Sequence, residues 1–261
     1  MAVGMPGADS SNLVTSQIGG QNLIDLATNL FGRPPVVWGR YFTSVASTGV
    51  VEYRHLQENQ ALRSSGIRVL PIARQTKRVN GSVADGSADA TANVEDLIVT
   101  FGADYLASQG GQVIMFLDVE GAPSLSVAYY QGWAATLTRH SQNFSNNKVI
   151  ILPCVYGTHF DDTTWRAVVE AVGPGVEFHG AWIARWRVTG CHDFSSDPQL
   201  QFDDNLVRPQ SLPSNFKILL WQYSNDCNGG DGFDCDQTNP SVDLLQDLVN
   251  KCVLPPDTPM A

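Results

Sequence analysis

The sequence predicts a single α/β domain folded as a TIM-like barrel, and three observations support this. Short apolar runs alternate with segments of helical periodicity, which is the pattern of a parallel sheet covered by helices. Several of these runs are almost continuously apolar, as expected for strands buried on both faces. The chain has 261 residues, 43% of them hydrophobic, and no linker-like stretch divides it. We therefore expect residues 1–261 to form one domain.

The apolar runs define the strands of the predicted barrel. The clearest is Val113-Ile114-Met115-Phe116-Leu117, which lies within the candidate strand 112–119. The other candidates are 36–42, 67–73, 149–156, 178–184 and 218–223. A first strand ending near Asp9 and a last one around Cys235 bring the total to about eight.

Helical periodicity fills the intervals between the first strands. The predicted helices are 17–30, 53–64, 88–108, 124–142, 161–172 and 241–252. The alternation then fails, because residues 187–215 are rich in Asp, Ser, Pro and Asn and show no helical period. We expect regular helices after only the first five strands.

Composition excludes several classes of function. The formal net charge of −10 argues against a nucleic-acid-binding surface and against attachment to anionic membranes. No apolar run is long enough for a membrane span, and no signal peptide is visible at residues 1–9. This start is compatible with a cytoplasmic protein, with export by another route, or with a trimmed chain.

The five cysteines do not follow the spacing of a zinc site, and the Gly/Asp-rich stretch 228–234 lacks the spacing of an EF-hand. We therefore predict no metal site and no cofactor. Cys227 and Cys235 bracket that stretch, so a disulfide between them in an oxidising compartment is one interpretation. Buried, inert thiols are the other.

The main candidate site is the pair Asp118 and Glu120, at the end of the most hydrophobic strand. Reactive groups of α/β barrels gather at the carboxyl ends of the strands, and residues two apart on a strand point the same way. Two carboxyls in a poorly solvated mouth repel each other, so one should stay protonated. An acid beside an ionised partner is what cleavage of a glycosidic bond requires. The alternative is a pair of solvated loop acids.

Other candidates also fall at predicted strand ends. Asp9 would point into the barrel mouth from the first strand, or it is simply the N-cap of the first helix. Aromatic rings stack on sugars, while hydroxyl and amide groups bind sugar hydroxyls; core packing is the alternative for each ring. The candidates for substrate contact are Tyr41, Tyr156, Trp182, Trp186, Trp221, Gln222 and Tyr223.

Five motifs in order resemble those of the glycoside hydrolase family 25 muramidases, the Chalaropsis-type lysozymes. They are Gly7-Ala8-Asp9-Ser10-Ser11, Asp118-Val119-Glu120, Ala181-Trp182-Ile183-Ala184-Arg185-Trp186, Trp221-Gln222-Tyr223-Ser224 and Cys235-Asp236-Gln237. The second strand has Gly39-Arg40-Tyr41 in place of the muramidase Lys-x-x-Glu-Gly stretch. In this it is more similar to a related glycoside-hydrolase-like branch of unknown function. Alignment of the last motif to Asp234 instead of Asp236 is also open.

The resemblance implies a barrel of the (β/α)5β3 type that hydrolyses a β-linked amino-sugar polymer, most simply peptidoglycan. It implies Glu120 as the general acid, Asp118 as its assistant, and Asp9 and Asp236 as groups that shape the field around them. A polysaccharide would then be the partner of a monomeric chain. Two other hypotheses remain: a catalytically silent carbohydrate-binding or cell-surface barrel, and a barrel enzyme acting on a different glycan.

Overall fold

The computed structural model of the chain describes residues 3–45, 51–74, 78–121 and 123–257. The strands are β1 (Pro6–Asp9), β2 (Gln17–Ile18), β3 (Gln21–Asn22), β4 (Val37–Phe42), β5 (Arg68–Arg74), β6 (Gln112–Asp118), β7 (Ile150–Thr158), β8 (Gly180–Thr189), β9 (Ile218–Cys227) and β10 (Phe233–Thr238). The helices are α1 (Leu23–Phe31), α2 (His55–Ser64), α3 (Val83–Phe101), α4 (Ala103–Ser108), α5 (Val127–Phe144), α6 (Asp162–Ala171), α7 (Asp204–Val207) and α8 (Val242–Lys251).

Eight of the strands form a closed barrel in the order β1-β4-β5-β6-β7-β8-β9-β10, and β10 returns to β1. All neighbours are parallel except β10, which runs antiparallel to both β9 and β1. Helices of regular length follow the first five barrel strands, whereas only the four-residue α7 and short 3-10 turns lie between β8 and β9. The predicted single-domain α/β barrel is confirmed.

The first predicted helix starts later than its periodicity suggested. Residues 17–22 form the small hairpin β2–β3, whose two turn glycines, Gly19 and Gly20, have positive φ angles of 60° and 85°. A Gly-Gly pair favours such two-residue turns because it tolerates this backbone conformation. Asn22 then caps α1 by accepting a hydrogen bond from the Asp25 backbone N–H. In this segment the turn preference of the Gly-Gly pair overrides the helical spacing of the apolar residues.

One disulfide joins Cys191, in the segment after β8, to Cys227 at the end of β9. The pairing of Cys227 with Cys235 considered from the sequence is therefore wrong. Cys235 is a buried free thiol of β10 that packs in the apolar layer between strands and helices. Sequence spacing could not reveal this, since the long connection 187–215 brings a distant cysteine to the hairpin. Among the described residues, no helix combines the length and apolar character needed to cross a membrane.

Helices α3 and α5 approach each other closely at two glycines. A Cβ on Gly132 would lie 2.1 Å from the Val83 carbonyl oxygen, and one on Gly86 would lie 2.1 Å from the Tyr129 carbonyl oxygen. Backbone atoms cannot retreat as a flexible side chain does, so the helices touch only because these positions lack side chains.

We expect Gly132→Ala to destabilise the protein by about 1–3 kcal/mol, because overpacking of the helix contact outweighs the better helix propensity of alanine. The free energy of unfolding from urea titration measures this. Gly173→Ala is the matched control, since a Cβ there meets no atom within 4 Å. Equal stabilities of the two variants would contradict the close approach.

Candidate active site

A cavity of about 230 Å³ opens at the carboxyl ends of the parallel strands. It is lined by Asp9, Ser10, Ser11, Tyr41, Arg74, Glu120, Tyr156, Asp226, Gly229, Gly230, Gly232, Phe233 and Asp234. Its walls come from the first and last strands of the barrel, from β4 to β7, and from the glycine-rich β9–β10 turn. The lining is predominantly polar and includes four carboxyl groups, those of Asp9, Glu120, Asp226 and Asp234.

Glu120 lies in this wall, two residues beyond the buried Asp118 that ends β6. The Glu120 backbone N–H donates to Asp118 Oδ1 at 2.8 Å, so the main chain fixes the two acids relative to each other. The Tyr156 hydroxyl donates to Glu120 Oε2 at 2.5 Å. The other carboxyl oxygen, Oε1, is buried and has no hydrogen-bond partner among the described residues. The described protein groups therefore leave the hydrogen-bonding capacity of this oxygen unused.

Burial sets the protonation of this pair. It raises the pKa of Glu120 to about 7; the Tyr156 hydrogen bond lowers it, and the charges of Asp118 and Asp234 raise it. Burial also raises the pKa of Asp118 to about 6, while the Arg74 guanidinium opposes this, its Nε lying 3.8 Å from Asp118 Oδ2. Glu120 therefore holds its proton to a higher pH than Asp118.

A second carboxyl pair, Asp9 and Asp234, faces the cavity from the first and last strands. The two residues are register partners across β1 and β10, and Gln222 on β9 donates its amide Nε2 to both, at 3.0 Å and 3.1 Å. Trp186 Nε1–H donates to Gln222 Oε1 at 2.7 Å, so this bond orients the amide with its donor toward the acids. Gly39 makes room, because a Cβ there would lie 2.7 Å from the Asp9 Cβ.

Asp236 lies deeper inside the barrel than expected for a residue of the site. Because β10 is antiparallel, its first residues lie at the mouth and later ones lie further inside: Asp234 pairs with Asp9, whereas Asp236 pairs with Gly7. Asp236 is fully buried, accepts a hydrogen bond from Trp182 Nε1 at 3.0 Å, and does not line the cavity. Burial raises its pKa well above the usual range, as do the charges of Asp9 and Asp234. Asp234 is thus the acid of β10 that a ligand can reach.

The predicted aromatic contacts divide into three groups. Tyr41 and Tyr156 line the cavity, and Trp182 lies beneath it, stacked on Tyr156 with ring centroids 4.0 Å apart. Trp186 is half-exposed at the mouth. Trp221 and Tyr223 are buried on the outer side of the barrel, where they do not meet the cavity.

The outward direction of Trp221 and Tyr223 follows from strand geometry. Successive side chains of a strand point to opposite faces, so Gln222 can face the barrel interior only if its two neighbours face outward. Trp221 Nε1–H accordingly donates to the Arg185 carbonyl at 2.9 Å, and the Tyr223 hydroxyl donates to the His192 carbonyl at 2.6 Å. Their assignment as substrate contacts is corrected.

Arg74 and the serine pair Ser10-Ser11 are among the cavity residues that the sequence did not identify as site residues, as are Asp226 and Phe233. Arg74 ends β5, one residue beyond the predicted strand, and its guanidinium lies 5.6 Å from the centre of the Tyr41 ring. Its position at the end of a predicted strand is the feature of the sequence that could have identified it as a site residue. Ser10 and Ser11 follow Asp9 directly, so the same rule applies to them.

The raised acid pKa values predict a pH-dependent loss of stability. Asp118 has an ordinary pKa of 3.8 and a folded-state pKa of about 6, so the folded protein binds more protons than the unfolded chain between these values. Its contribution to the free energy of unfolding therefore falls as the pH rises through this window, by up to about 3 kcal/mol. We expect Asp118→Asn to be increasingly more stable than the parent from pH 4 to pH 7.

Urea titration of both proteins across this range measures that difference. Asp243→Asn, at an exposed position in the first turn of α8, is the control for the removal of one carboxyl group. A stability gap between Asp118→Asn and the parent that is independent of pH would contradict the assignment of a raised pKa to Asp118.

No protein-family model and no curated protein sequence matches the chain. Solved structures do resemble it. An uncharacterized protein of B. stearothermophilus aligns at 20% identity with a TM-score of 0.65, covering 95% of this chain and all of that one. A muramidase from Acremonium alcalophilum aligns at 18% identity with a TM-score of 0.53, covering 94% and 99%. The Clostridium perfringens spore cortex lytic enzyme SleM aligns at 15% identity with a TM-score of 0.55, covering 92% and 68%. At these identities the likeness concerns the fold alone, a closed α/β barrel.

Proposed function

We propose that the protein is a glycoside hydrolase that cleaves a β-linked amino-sugar polymer, with peptidoglycan as the first substrate to test. The observation that carries the proposal is Glu120: a carboxyl in the cavity wall with one oxygen held by Tyr156, the other unpaired, and a pKa of about 7. A carboxyl that keeps its proton near neutral pH beside a more acidic one is the arrangement that glycosidic cleavage uses.

In the proposed reaction Glu120 Oε1 gives its proton to the glycosidic oxygen as the bond from that oxygen to the anomeric carbon breaks. Positive charge develops on the sugar ring, and Asp118, which is buried and does not line the cavity, stabilises it by its negative charge at a distance. Water then adds to the anomeric carbon, and the proton it releases restores the protonation of the site. Burial and the charge of Asp234 raise the pKa of Asp9 well above its usual range, so Asp234, which shares the Gln222 amide with it, contributes the negative potential of the opposite wall.

The substrate class is supported by two of the structural neighbours, a muramidase and a spore cortex lytic enzyme, and by the sequence motifs around Asp9 and Glu120. Tyr41, Tyr156 and Trp186 are the rings proposed to contact the glycan. The test is incubation with peptidoglycan, chitin and a panel of other polysaccharides, followed by mass spectrometry of the products. Release of reducing-end fragments from peptidoglycan supports the proposal. Binding of a polysaccharide without release of fragments would indicate a silent carbohydrate-binding barrel instead.

Tyr156→Phe tests the protonation of Glu120. The hydrogen bond from Tyr156 lowers the pKa of this carboxyl, so its removal should raise the pKa above about 7. We expect the alkaline limb of the kcat/KM profile, where the general acid loses its proton, to move to higher pH. Tyr130→Phe is the control, because its hydroxyl donates to the Glu177 carbonyl, away from the cavity. An unmoved alkaline limb would mean that another group is the titrating acid.

A further inference from the structure

Strand β8 contains a bulge next to the candidate site. Ala184 pairs with Gln222 and Val188 pairs with Ser224, so Arg185, Trp186 and Arg187 together oppose the single residue between those partners on β9. We call these three residues the β8 bulge. Bulges frequently lie beside active sites, where they redirect side chains.

The β8 bulge is connected to the cavity and to an exposed ring. Its Trp186 donates to Gln222, the residue that bridges the two acids of the cavity wall. Its Arg185 guanidinium lies 5.8 Å from the centre of the Phe160 ring, which follows β7 at the same end of the barrel. Phe160 is 75% exposed and Trp186 is 50% exposed. Phe160, in the turn after β7, and Trp186, on β8, are therefore two exposed rings on neighbouring segments, and the Arg185 guanidinium lies over the first of them.

The charges of the β8 bulge are uncompensated. Across the part of the chain that the structure describes, the side chains of Arg185 and Arg187 form no ion pair and no hydrogen bond with protein groups. Burial lowers the pKa of Arg185, and the nearby charge of Arg187 lowers it further. In a chain with 26 acidic and 16 basic residues, two arginines of one bulge that both lack an ionic partner among the described residues need an explanation.

We propose that the β8 bulge and Phe160 form a subsite for a sugar that carries a negatively charged group. The exposed rings accept the apolar face of a sugar, and the guanidinium groups bind a carboxylate or a phosphate, for which their planar forks are suited. The carboxyl groups of the cavity repel an anion. A negatively charged substituent of the sugar therefore binds outside the cavity, where the arginines of the β8 bulge lie. The inference rests on the proposed action on a polysaccharide and specifies that this polysaccharide is anionic.

Titration calorimetry with Glu120→Gln, which removes the proposed acid, tests this. The probes are three tetrasaccharides: neutral N-acetylglucosamine tetramer, the alternating N-acetylglucosamine and N-acetylmuramic acid tetramer with its carboxylates, and a 6-phosphorylated N-acetylglucosamine tetramer. Into this background we introduce the bulge variant, which combines Arg185→Gln with Arg187→Gln. The matched control combines Arg33→Gln with Arg139→Gln, at two exposed arginines elsewhere in the chain.

We expect the bulge variant to weaken binding of a charged tetrasaccharide about tenfold at low salt, to leave the neutral tetramer within about twofold, and to lose its effect at high salt. Loss with the carboxylated probe alone identifies a carboxylate ligand, and loss with the phosphorylated probe alone identifies a phosphate. Equal losses for neutral and charged probes, no loss relative to the control pair, or no binding of any probe would each overturn the subsite.

The failure of each proposal can be recognised separately. Arginine-dependent binding of an anionic tetrasaccharide by a protein that cleaves no polysaccharide would refute the hydrolase and retain the subsite. If the protein cleaves peptidoglycan and the two arginine substitutions change neither KM nor its salt dependence, the hydrolase is retained and the subsite is refuted.

Discussion

Glu120→Gln is expected to lower kcat on the cleaved polymer by about 10²–10⁴-fold, the usual contribution of a positioned general acid. Glutamine keeps the size of the side chain, and its carbonyl oxygen can still accept from Tyr156, but it has no acidic proton for the leaving oxygen. Since the substrate contacts remain, KM should change little. Steady-state release of reducing ends measures both constants.

Glu177→Gln is the matched control for this variant. Glu177 is exposed in the connection that leads into β8, at the opposite end of the barrel from the cavity, so the same chemical change should leave kcat unaltered. Thermal unfolding of both variants shows whether the fold is intact. Full activity of Glu120→Gln would exclude it as the acid and would leave Asp234 as the next group to test.

Arg40→Met is expected to lower the free energy of unfolding by about 3–5 kcal/mol, because it leaves a buried carboxylate without its cation. Arg40 and Glu58 are both fully buried, with Nε 2.8 Å from Oε2. Arg40 also donates to the Ser10 carbonyl at 2.7 Å and to the Val51 carbonyl at 3.0 Å. The pair thus links β4, α2 and the loop that carries a serine of the cavity wall.

Chemical denaturation of Arg40→Met, Glu58→Leu and the double variant measures this effect. If the pair acts as a unit, the double variant loses less than the sum of the two single losses. Arg166→Met is the control, since its ion pair with Asp162 is exposed and should contribute at most about 1 kcal/mol. A loss for Arg40→Met as small as that of the control would contradict the buried ion pair.

The apolar runs located the barrel strands well because parallel strands buried on both faces leave a strong local signal. The segment ending in Asp118 is the best example, since its predicted and observed ends differ by one residue. The same signal, with the rule that side chains gather at strand ends, also located Tyr41, Tyr156 and Glu120, which line the cavity.

Other features depend on information that single strands do not contain. The choice between Asp234 and Asp236 requires the direction of β10, because reversal of the strand decides which residue lies at the mouth. The partner of Cys227 depends on the path of a long irregular connection. Trp221, by contrast, was predictable: once Gln222 was assigned to the interior, strand alternation required Trp221 to face outward.

The antiparallel strand β10 closes the barrel against β1, so the first and last barrel strands in chain order are neighbours. Asp9 meets Asp234 only through this pairing, while Asp118 and Glu120 belong to the middle of the chain. A nascent chain therefore carries its acids apart until synthesis has passed the final strand. Contacts between residues so distant in sequence form slowly. The pairing of β1 with β10 is the step that brings Asp9 and Asp234 together, and with them their mutual repulsion.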